Sequence, residues 1–209
     1  MISICTPLKN RTSIDTEYGN LRLFPNCVEK ATKDLKLLGI SFEWVVADFN
    51  SEDADPRTWI GVYCADYQVI TVNGFFNRGK GLNEAAKAAK YNKLCFLDAD
   101  MLTSPNFWTN GIENLEKNIA SFPVCWASKD HTNTTGFFHT SAYGNCFVTK
   151  KMHNVVGGVP EYKQWSLEDT HFYQSVRKLF QVERKKCPNL LHQYHPDSFE
   201  WKNQYYEKK

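Results

Sequence analysis

The amino-acid sequence predicts an α/β fold built on a mixed, mostly parallel sheet with helices on both faces. Short apolar runs alternate with amphipathic stretches through the first half of the chain, which is typical of successive β-α-β units. The run from Leu94 to Leu97 is apolar without interruption, as expected of a strand covered on both sides. The length of 209 residues suits one domain.

Each element of the first half has its own local signal. The predicted strands are rich in β-branched, aromatic or other apolar residues and cover 2–6, 42–47, 67–72 and 94–97. The predicted helices show apolar residues at helical spacing or many alanines and cover 20–38, 55–65, 79–90 and 105–120. Pro7 is expected to end the first strand, Gly39 to end the first helix, and Ser104 to cap the last helix of this series.

The second half has a different pattern. It contains a glycine-rich aromatic stretch at 136–147, a helix predicted at 168–180 and a final strand or loop at 185–195. No linker or repeat separates the halves. We therefore expect a single domain over 1–209, with residues 1–103 and 104–209 as its two halves.

Composition excludes several classes of protein. Hydrophobic residues make up 42% and charged residues 23%, which argues against disorder and against a coiled coil. No apolar run reaches the ~18 residues that span a bilayer, and a net charge of +2 does not favour nucleic acid. Seven cysteines without a CxxC pair, and no signal-peptide pattern at residue 1, predict reduced thiols and a cytoplasmic location.

Polar residues follow the predicted strands, where ligands of open α/β sheets collect. They are Thr6, Pro7, Asn10, Asp48, Asn50, Ser51, Asn77, Arg78, Gly79, Asp98 and Asp100. Asp98 and Asp100 directly follow the apolar strand, and a hard divalent cation such as Mg²⁺ or Mn²⁺ would explain two carboxylates there. The alternative is a turn or a helix cap, because Asp is common after strands.

Two further groups of residues can carry chemistry. Glu168 and Asp169 begin a helix, where acidic residues are favourable in any case, but either could act as a general base. Trp165, just before them, could offer its ring face to a sugar. His192 and His195 are candidate nitrogen ligands of Mn²⁺, or polar residues of an exposed loop.

Taken in order, these motifs resemble a glycosyltransferase of the GT-A fold, similar to the inverting family 2. The second half also resembles galactosyltransferase and chondroitin-polymerase-like members. The matching pieces are 4–7, 45–51, 77–79, 96–100, 143–147 and 165–169. The small size resembles compact bacterial or virus-encoded members, such as an algal-virus glycosyltransferase domain, for which the location would be the host cytoplasm.

The resemblance implies a UDP-sugar donor and Mn²⁺ or Mg²⁺ as cofactor. The residues it assigns to the donor are Thr6, Pro7, Asp48, Asn50, Arg78, Asp98 and Ala99. Among them Thr6, Asp48 and Arg78 would hold the uridine, with Asp48 at the uracil edge. Asp98 would lie near the ribose or reach the metal through water, and Asp100 would coordinate the metal directly.

The same resemblance assigns the remaining roles. His192 would be a further metal ligand, with His195 as the alternative. Asp169 would be the catalytic base, and Glu168 would hold the acceptor or orient the loop. The acceptor contacts are Trp165, Gly144 and Asn145.

The implied reaction moves a hexose or deoxyhexose from a UDP-sugar to a hydroxyl of a glycan acceptor, with inversion. The alternatives are a retaining glycosyltransferase, or a module that binds carbohydrate or nucleotide-sugar without catalysis. A nucleotidyltransferase is disfavoured because segment 7–11 lacks the glycines of a triphosphate loop. The expected partners are the donor, the acceptor and further domains of a longer chain. No nucleic acid and no transmembrane segment are expected.

Overall fold

A computed structural model describes residues 1–162 and 167–196. The strands are β1 (Ile2–Leu8), β2 (Ile14–Thr16), β3 (Gly19–Leu21), β4 (Phe42–Asp48), β5 (Tyr67–Thr71), β6 (Lys93–Phe96), β7 (Met101–Leu102), β8 (Ile119–Ser121), β9 (Val124–Ser128), β10 (Gly136–Phe138), β11 (Cys146–Thr149), β12 (Gln181–Glu183) and β13 (Lys186–His192). The helices are α1 (Leu23–Leu37), α2 (Arg78–Ala88), α3 (Pro105–Glu116), α4 (Lys150–Val155) and α5 (Glu168–Leu179).

The central sheet has seven strands in the order β12-β8-β11-β6-β1-β4-β5. Every neighbouring pair is parallel except the two pairs that involve β11. Because β11 runs the opposite way, its first residue lies at the same edge as the last residues of β1, β4 and β6. We call this the carboxyl edge; it gathers the loops that follow three strands and the loop that precedes β11.

Helices cover both faces of this sheet, as predicted. Side chains alternate between the faces along each strand, so neighbouring residues meet different helices. On one face Trp44 of β4 meets Phe24 of α1, with 5.9 Å between ring centroids. On the other face α2 lies so close to β1 that a Cβ on Gly81 would come within 2.7 Å of Pro7.

A second sheet, in the order β10-β9-β13-β7, stands beside the carboxyl edge, and the hairpin β2–β3 is a third, two-stranded unit. The sequence predicts only the last strand of the second sheet, at 185–195. Its other members have two to five residues, which is too short for a periodic pattern to stand out.

Several boundaries differ from the prediction. β1 continues through Pro7 to Leu8, because pairing with β4 reaches that far while pairing with β6 ends at Cys5. The helix predicted from residue 20 begins at Leu23, after the hairpin, and the helix predicted at 55–65 is two short 3₁₀ turns, Pro56–Thr58 and Ile60–Val62.

All seven cysteines are unpaired thiols, and six of them are buried. Burial raises the pKa of the Cys64 and Cys125 thiols to about 11. In the described parts of the chain, no helix combines the length and hydropathy needed to cross a membrane.

Candidate active site

The acidic turn after β6 sends its two carboxylates to different partners. Ala99, between them, is 6% exposed and packs into the core. Asp98 faces Arg78, with its Oδ1 2.9 Å from the guanidinium Nε. Asp100 faces the end of β13 instead, where two histidines lie. The spacing of one residue therefore divides the pair between two networks.

Asp100, His192 and His195 form a compact three-residue cluster. One oxygen of Asp100 lies 3.6 Å from Nε2 of His192 and 3.4 Å from Nε2 of His195. One potential ligand atom from each residue falls within 4.8 Å of the others. A carboxylate and two imidazoles at this separation have the composition and spacing of a divalent-metal site.

Two observations show that these residues fit a metal ion. Asp100 Oδ1 and His195 Nε2 are buried and have no hydrogen-bond partner among the described residues. The other ring nitrogen of His195, Nδ1, lies 3.1 Å from the carbonyl oxygen of Pro196. A proton on Nδ1 would be donated to that carbonyl, which leaves the lone pair of Nε2 directed at Asp100.

The charge states also suit a cation. Burial lowers the pKa of His192, although Asp100 opposes this, so the ring is neutral and able to ligate at neutral pH. Burial alone would raise the pKa of Asp100, but the two imidazoles and Arg11 outweigh it and hold that pKa well below its usual range. Asp100 is therefore an anion with unused lone pairs.

Gln193 holds the histidine segment against the acidic turn. Its backbone N–H donates to the carbonyl oxygen of Asp100 at 2.9 Å, and its side-chain amide donates to the carbonyl of Leu23 at 3.0 Å. The side-chain oxygen accepts a hydrogen bond from Asn26 at 3.3 Å. The position of the two histidines thus depends on α1 as well as on β13.

Asp98 is fixed by residues from α2 and from the loop before β11. Asn145 accepts the backbone N–H of Asp98 at 2.9 Å and donates to its Oδ2 at 3.4 Å. Arg78 donates to Asp98 Oδ1 and to the carbonyl of Gly144, the latter at 2.7 Å. A Cβ on Gly144 would lie within 2.9 Å of both side chains, so glycine is required for this close approach.

These contacts bear on two sequence-based assignments. Asp98 is not among the described residues whose ligand atoms converge, and its place near the ribose, or at the metal through water, stays a prediction. The Arg78 guanidinium positions Asp98 and the Gly144 carbonyl, and its contact with uridine stays a prediction. Gly144 and Asn145, predicted at the acceptor, contact this pair.

Asp169 and Glu168 begin α5 beside the same loop. The backbone N–H of Tyr143 donates to Oδ2 of Asp169 at 2.9 Å, which fixes the direction of that carboxylate. Glu168 is 7% exposed, and burial raises its pKa despite the opposing charge of Arg78. The pair therefore has one positioned carboxylate and one buried carboxyl group.

Arg184, just after β12, holds the loop that carries Tyr143. Its guanidinium donates to the carbonyls of Thr140 and Ala142 at 2.6 and 3.0 Å. The same group lies over the Tyr143 ring at 3.9 Å, and that ring stacks on Tyr173 of α5 with 4.4 Å between centroids. Sequence reasoning missed this residue, because its partners are backbone carbonyls more than forty positions away.

Two of the residues predicted at the nucleotide, Thr6 and Asp48, lie on β1 and β4. Asp48 is 3% exposed and accepts both the N–H and the hydroxyl of Ser51, the latter at 2.6 Å. Thr6 is fully buried; its hydroxyl donates to Leu97 and accepts from Trp44. Both hydrogen bonds of the Thr6 hydroxyl are thus made inside the core, and its contact with uridine stays a prediction.

The remaining assignments have different outcomes. Pro7 packs against α2, and Asn50 turns the chain with a φ of 55° while its carbonyl binds Lys9 at 2.7 Å. Trp165 lies outside the described residues. The sequence analysis missed Arg11, whose charge lowers the pKa of both Asp100 and His192. A single basic residue in a loop is usually solvated, so nothing in the sequence pointed to this role.

With this geometry described, the chain can be compared with known proteins. Residues 3–187 match the family described as Glycosyl transferase family 2. The chain belongs to this family. The match runs from β1 into β13 and so includes the acidic turn and the start of α5.

Curated relatives of this family 2 chain include chondroitin sulfate N-acetylgalactosaminyltransferase 2 of Mus musculus, 26% identical over 154 residues. The Homo sapiens protein of the same name is 25% identical over 154 residues. Each alignment covers 62% of this chain but only 28% of the relative. The family 2 chain thus spans under a third of the length of these relatives.

Solved structures share the fold of this family 2 chain. The structure of S. aureus TarS in complex with UDP-GlcNAc has a TM-score of 0.70 and 14% identity, covering 94% of this chain and 59% of the other. The mannosyltransferase PcManGT from Pyrobaculum calidifontis, in complex with GDP-Man and Mn²⁺, has a TM-score of 0.66 and 16% identity, covering 96% and 59%. These likenesses confirm the predicted GT-A fold.

Proposed function

We propose that this domain transfers a hexose or deoxyhexose from a UDP-sugar to a hydroxyl of a glycan acceptor, with a divalent metal and with inversion. The observation that carries the proposal is the pair of centres at the carboxyl edge. Asp100 and two histidines make a cation site, and Asp169 is a positioned carboxylate. Hydrogen bonds through Asp98, Arg78 and the 143–145 loop connect the two.

Asp100, His192 and His195 would hold the cation, and the two nitrogen ligands favour Mn²⁺ over Mg²⁺. When bound, such an ion neutralises the charge that develops on a diphosphate leaving group. One structural neighbour is solved in complex with GDP-Man and Mn²⁺ and another in complex with UDP-GlcNAc, which supports a nucleotide-sugar and a metal in this fold.

Asp169 is proposed as the general base. Its Oδ1 accepts the N–H of Thr170 at 2.6 Å and its Oδ2 accepts the N–H of Tyr143, so the side chain is held in one orientation. An acceptor hydroxyl within hydrogen-bond reach would transfer its proton to this carboxylate as it attacks the anomeric carbon. Attack from the side opposite to the departing diphosphate inverts the configuration.

The donor contacts are proposed from the strand ends. Asp48 lies at the end of β4 and, by the family resemblance, faces the uracil edge. By the same resemblance Asp98 is proposed near the ribose, Thr6 and Arg78 at the uridine, and Pro7, Asn50 and Ala99 as further donor contacts. A cytoplasmic location stays a prediction.

The deciding experiment is a thermal-shift panel of UDP, GDP, dTDP and CMP with and without Mn²⁺. A ligand that binds only the folded protein raises the melting temperature by mass action. We expect a shift with UDP that requires Mn²⁺ and disappears in Asp100→Asn. The control is Glu116→Gln. Glu116 is the last residue of α3, and its exposed carboxylate pairs with Lys93 of β6. This variant should show the same shift as the wild type.

Other outcomes separate the alternatives. A Mn²⁺-dependent shift with GDP would keep the metal site and change the donor. Binding of UDP-sugar with no hydrolysis and no transfer would make the domain a non-catalytic module. A product with the donor's anomeric configuration, read by proton NMR, would make the enzyme retaining.

A further inference from the structure

The loop between β9 and β10 lies against the chain that carries the two histidines. Ala127 of β9 is paired with His192 at the end of β13, and these two strands are parallel. Parallel strands end at the same edge of a sheet, so residues 129–135 and 193–195 leave the sheet side by side. We call residues 129–135 the Asp130 loop.

A side chain of the Asp130 loop binds the backbone between the two histidines. Oδ1 of Asn133 accepts the N–H of Tyr194 at 3.1 Å. Because a backbone N–H can only donate, the oxygen of the Asn133 amide, and not its nitrogen, must face it. Tyr194 directly precedes His195, whose Nε2 lies 3.4 Å from Asp100. The bond therefore fixes the backbone next to a candidate metal ligand.

The Asp130 loop holds Asn133 in place by its own hydrogen bonds. Asn133 has a φ of 57°, a left-handed conformation that asparagine adopts more readily than most residues. Its N–H donates to the carbonyl of Asp130 at 3.0 Å. The Asp130 carboxylate accepts the N–H groups of Thr132 and Thr135 at 2.9 and 2.6 Å. Since these bonds lie within the loop, the Asn133 acceptor is in position without a cation.

Aromatic contacts fix the same loop to the β2–β3 hairpin. The ring of His131 stacks on Tyr18, in the turn of the hairpin, with 3.9 Å between centroids and 13° between the ring planes. The Tyr194 ring meets Tyr18 edge-on at 6.3 Å. Aromatic pairs at such separations attract each other beyond the effect of burial. The hairpin, the Asp130 loop and the histidine segment are thus joined in one contact.

The two histidines depend on different contacts. Gln193, next to His192, is held by the acidic turn and by α1. Asn133 acts one residue further along, on the side of His195. A metal–ligand distance tolerates only about 0.2 Å of displacement. A small shift of the backbone at Tyr194 would therefore take the His195 nitrogen out of ligating distance.

We infer that Asn133 is a positioning residue for the cation site, which holds His195 for ligation through the N–H of Tyr194. This inference rests on the metal-dependent function proposed above and adds to it a residue outside the ligand set. Asn133 itself touches neither the cation nor the substrate.

The test measures the affinity for Mn²⁺ rather than turnover. Free Mn²⁺ is followed by electron paramagnetic resonance during a protein titration at one fixed UDP concentration, so the Mn²⁺ bound by UDP alone is a common background. Asn133→Gly keeps the left-handed backbone but removes the acceptor. It should weaken Mn²⁺ binding by about 10-fold, the lower end of the effects of residues outside the ligand set.

Two further variants separate the hydrogen bond from the backbone conformation. Asn133→Asp keeps an acceptor oxygen and tolerates the same φ, so it should recover most of the lost affinity. The matched control is Asn118→Gly, because Asn118 has a φ of 58° and lies beyond the end of α3. It should bind Mn²⁺ like the wild type. If Asn133→Gly does not fold, Asn133→Ser, whose side chain is too short to reach the Tyr194 N–H, replaces it.

A double-mutant cycle assigns the effect to His195. In the His195→Gln variant the imidazole is already absent, so adding Asn133→Gly should weaken Mn²⁺ by less than about 2-fold, as expected of coupled positions. A second loss as large as the one in the wild-type background would mean that Asn133 acts elsewhere, and the inference would be wrong.

The same titrations separate this inference from the proposed function. If the wild type binds no Mn²⁺ beyond the UDP background, the metal-dependent function and the inference fail together. If the wild type binds Mn²⁺ and Asn133→Gly binds it equally tightly, the inference alone fails.

Discussion

The two neighbouring acidic residues of α5 differ in their hydrogen bonding and burial. Asp169 is held by the N–H of Tyr143, while Glu168 is buried beside Arg78. We expect Asp169→Asn to lower kcat by about 100-fold or more, the usual size of a general-base effect, with the Mn²⁺-dependent UDP shift retained. Steady-state transfer kinetics test this.

The control for Asp169→Asn is Glu113→Gln, an exposed carboxylate on α3. If Asp169→Asn keeps near wild-type turnover, Asp169 is not the base, and a retaining reaction becomes the better account.

Glu168 gives a prediction about stability and pH. Burial, the largest effect, raises its folded-state pKa above the ordinary 4.5, so the folded protein favours the protonated form. The stabilisation that protonated Glu168 provides is complete below pH 4.5 and is lost as pH rises through the raised value. Glu168→Gln should therefore be more stable than the wild type at pH 7 and equal to it near pH 4, measured by urea unfolding.

A wild type that matches or exceeds the Gln variant at pH 7 would contradict this prediction. It would mean that the electrostatic attraction of Arg78 outweighs the cost of burying the charge of Glu168.

Single residues at the site were predictable only when they follow a strand or begin a helix. Asp100, Asp169 and His192 are recognisable because a charged or metal-binding side chain stands at such a boundary. Tyr143 and Arg184 were not, since they act through a backbone N–H and through contacts to backbone carbonyls. Neither kind of contact leaves a signal in residue type or spacing.

At the scale of elements, the loop between β10 and β11 depends on one side chain from the end of β12. Arg184→Lys keeps the charge but loses the planar group that stacks on Tyr143 and binds two carbonyls. We expect kcat to fall by about 10-fold or more, because small displacements of a reacting group are costly. KM for the donor should stay unchanged.

Arg177→Lys, at an exposed arginine on α5, is the matched control. A purely structural role for Arg184 would lower the melting temperature and leave kcat of the folded enzyme unchanged.

The contact of α2 with the segment before α5 gives a prediction about packing. A Cβ on Gly79 would lie 2.1 Å from the carbonyl oxygen of Pro160, and backbone on both sides leaves little room to adjust. Gly79→Ala should destabilise the protein by about 1–3 kcal/mol, measured by urea unfolding. Lys87→Ala, exposed on the same helix, should be within about 0.5 kcal/mol of the wild type.

Element prediction succeeded where a pattern was long. α2, α3 and α5 and the strands β1, β4, β5 and β6 follow from periodicity, composition and caps. β7 has two residues, and β10 has three. These short strands exist because a neighbouring strand pairs with them, which no local pattern reveals.

At the scale of the whole molecule, the two halves share one sheet. β8, β11 and β12 from the second half continue the sheet beyond β6 of the first. We therefore expect residues 1–103 alone to remain unfolded and the full chain to unfold in one transition. Urea curves from circular dichroism and tryptophan fluorescence should coincide; two separate transitions would show that the halves are independent.

The buried cysteines allow local unfolding of this protein to be measured by thiol labelling. A thiol with a raised pKa and no access to solvent does not react with a disulfide reagent, so the rate of labelling reports how often the structure around it unfolds. Cys187, the half-buried one, lies on the strand that ends at His192. Its labelling rate should fall when metal and nucleotide bind, while Cys5 and Cys95, deep in the large sheet, should label only with global unfolding.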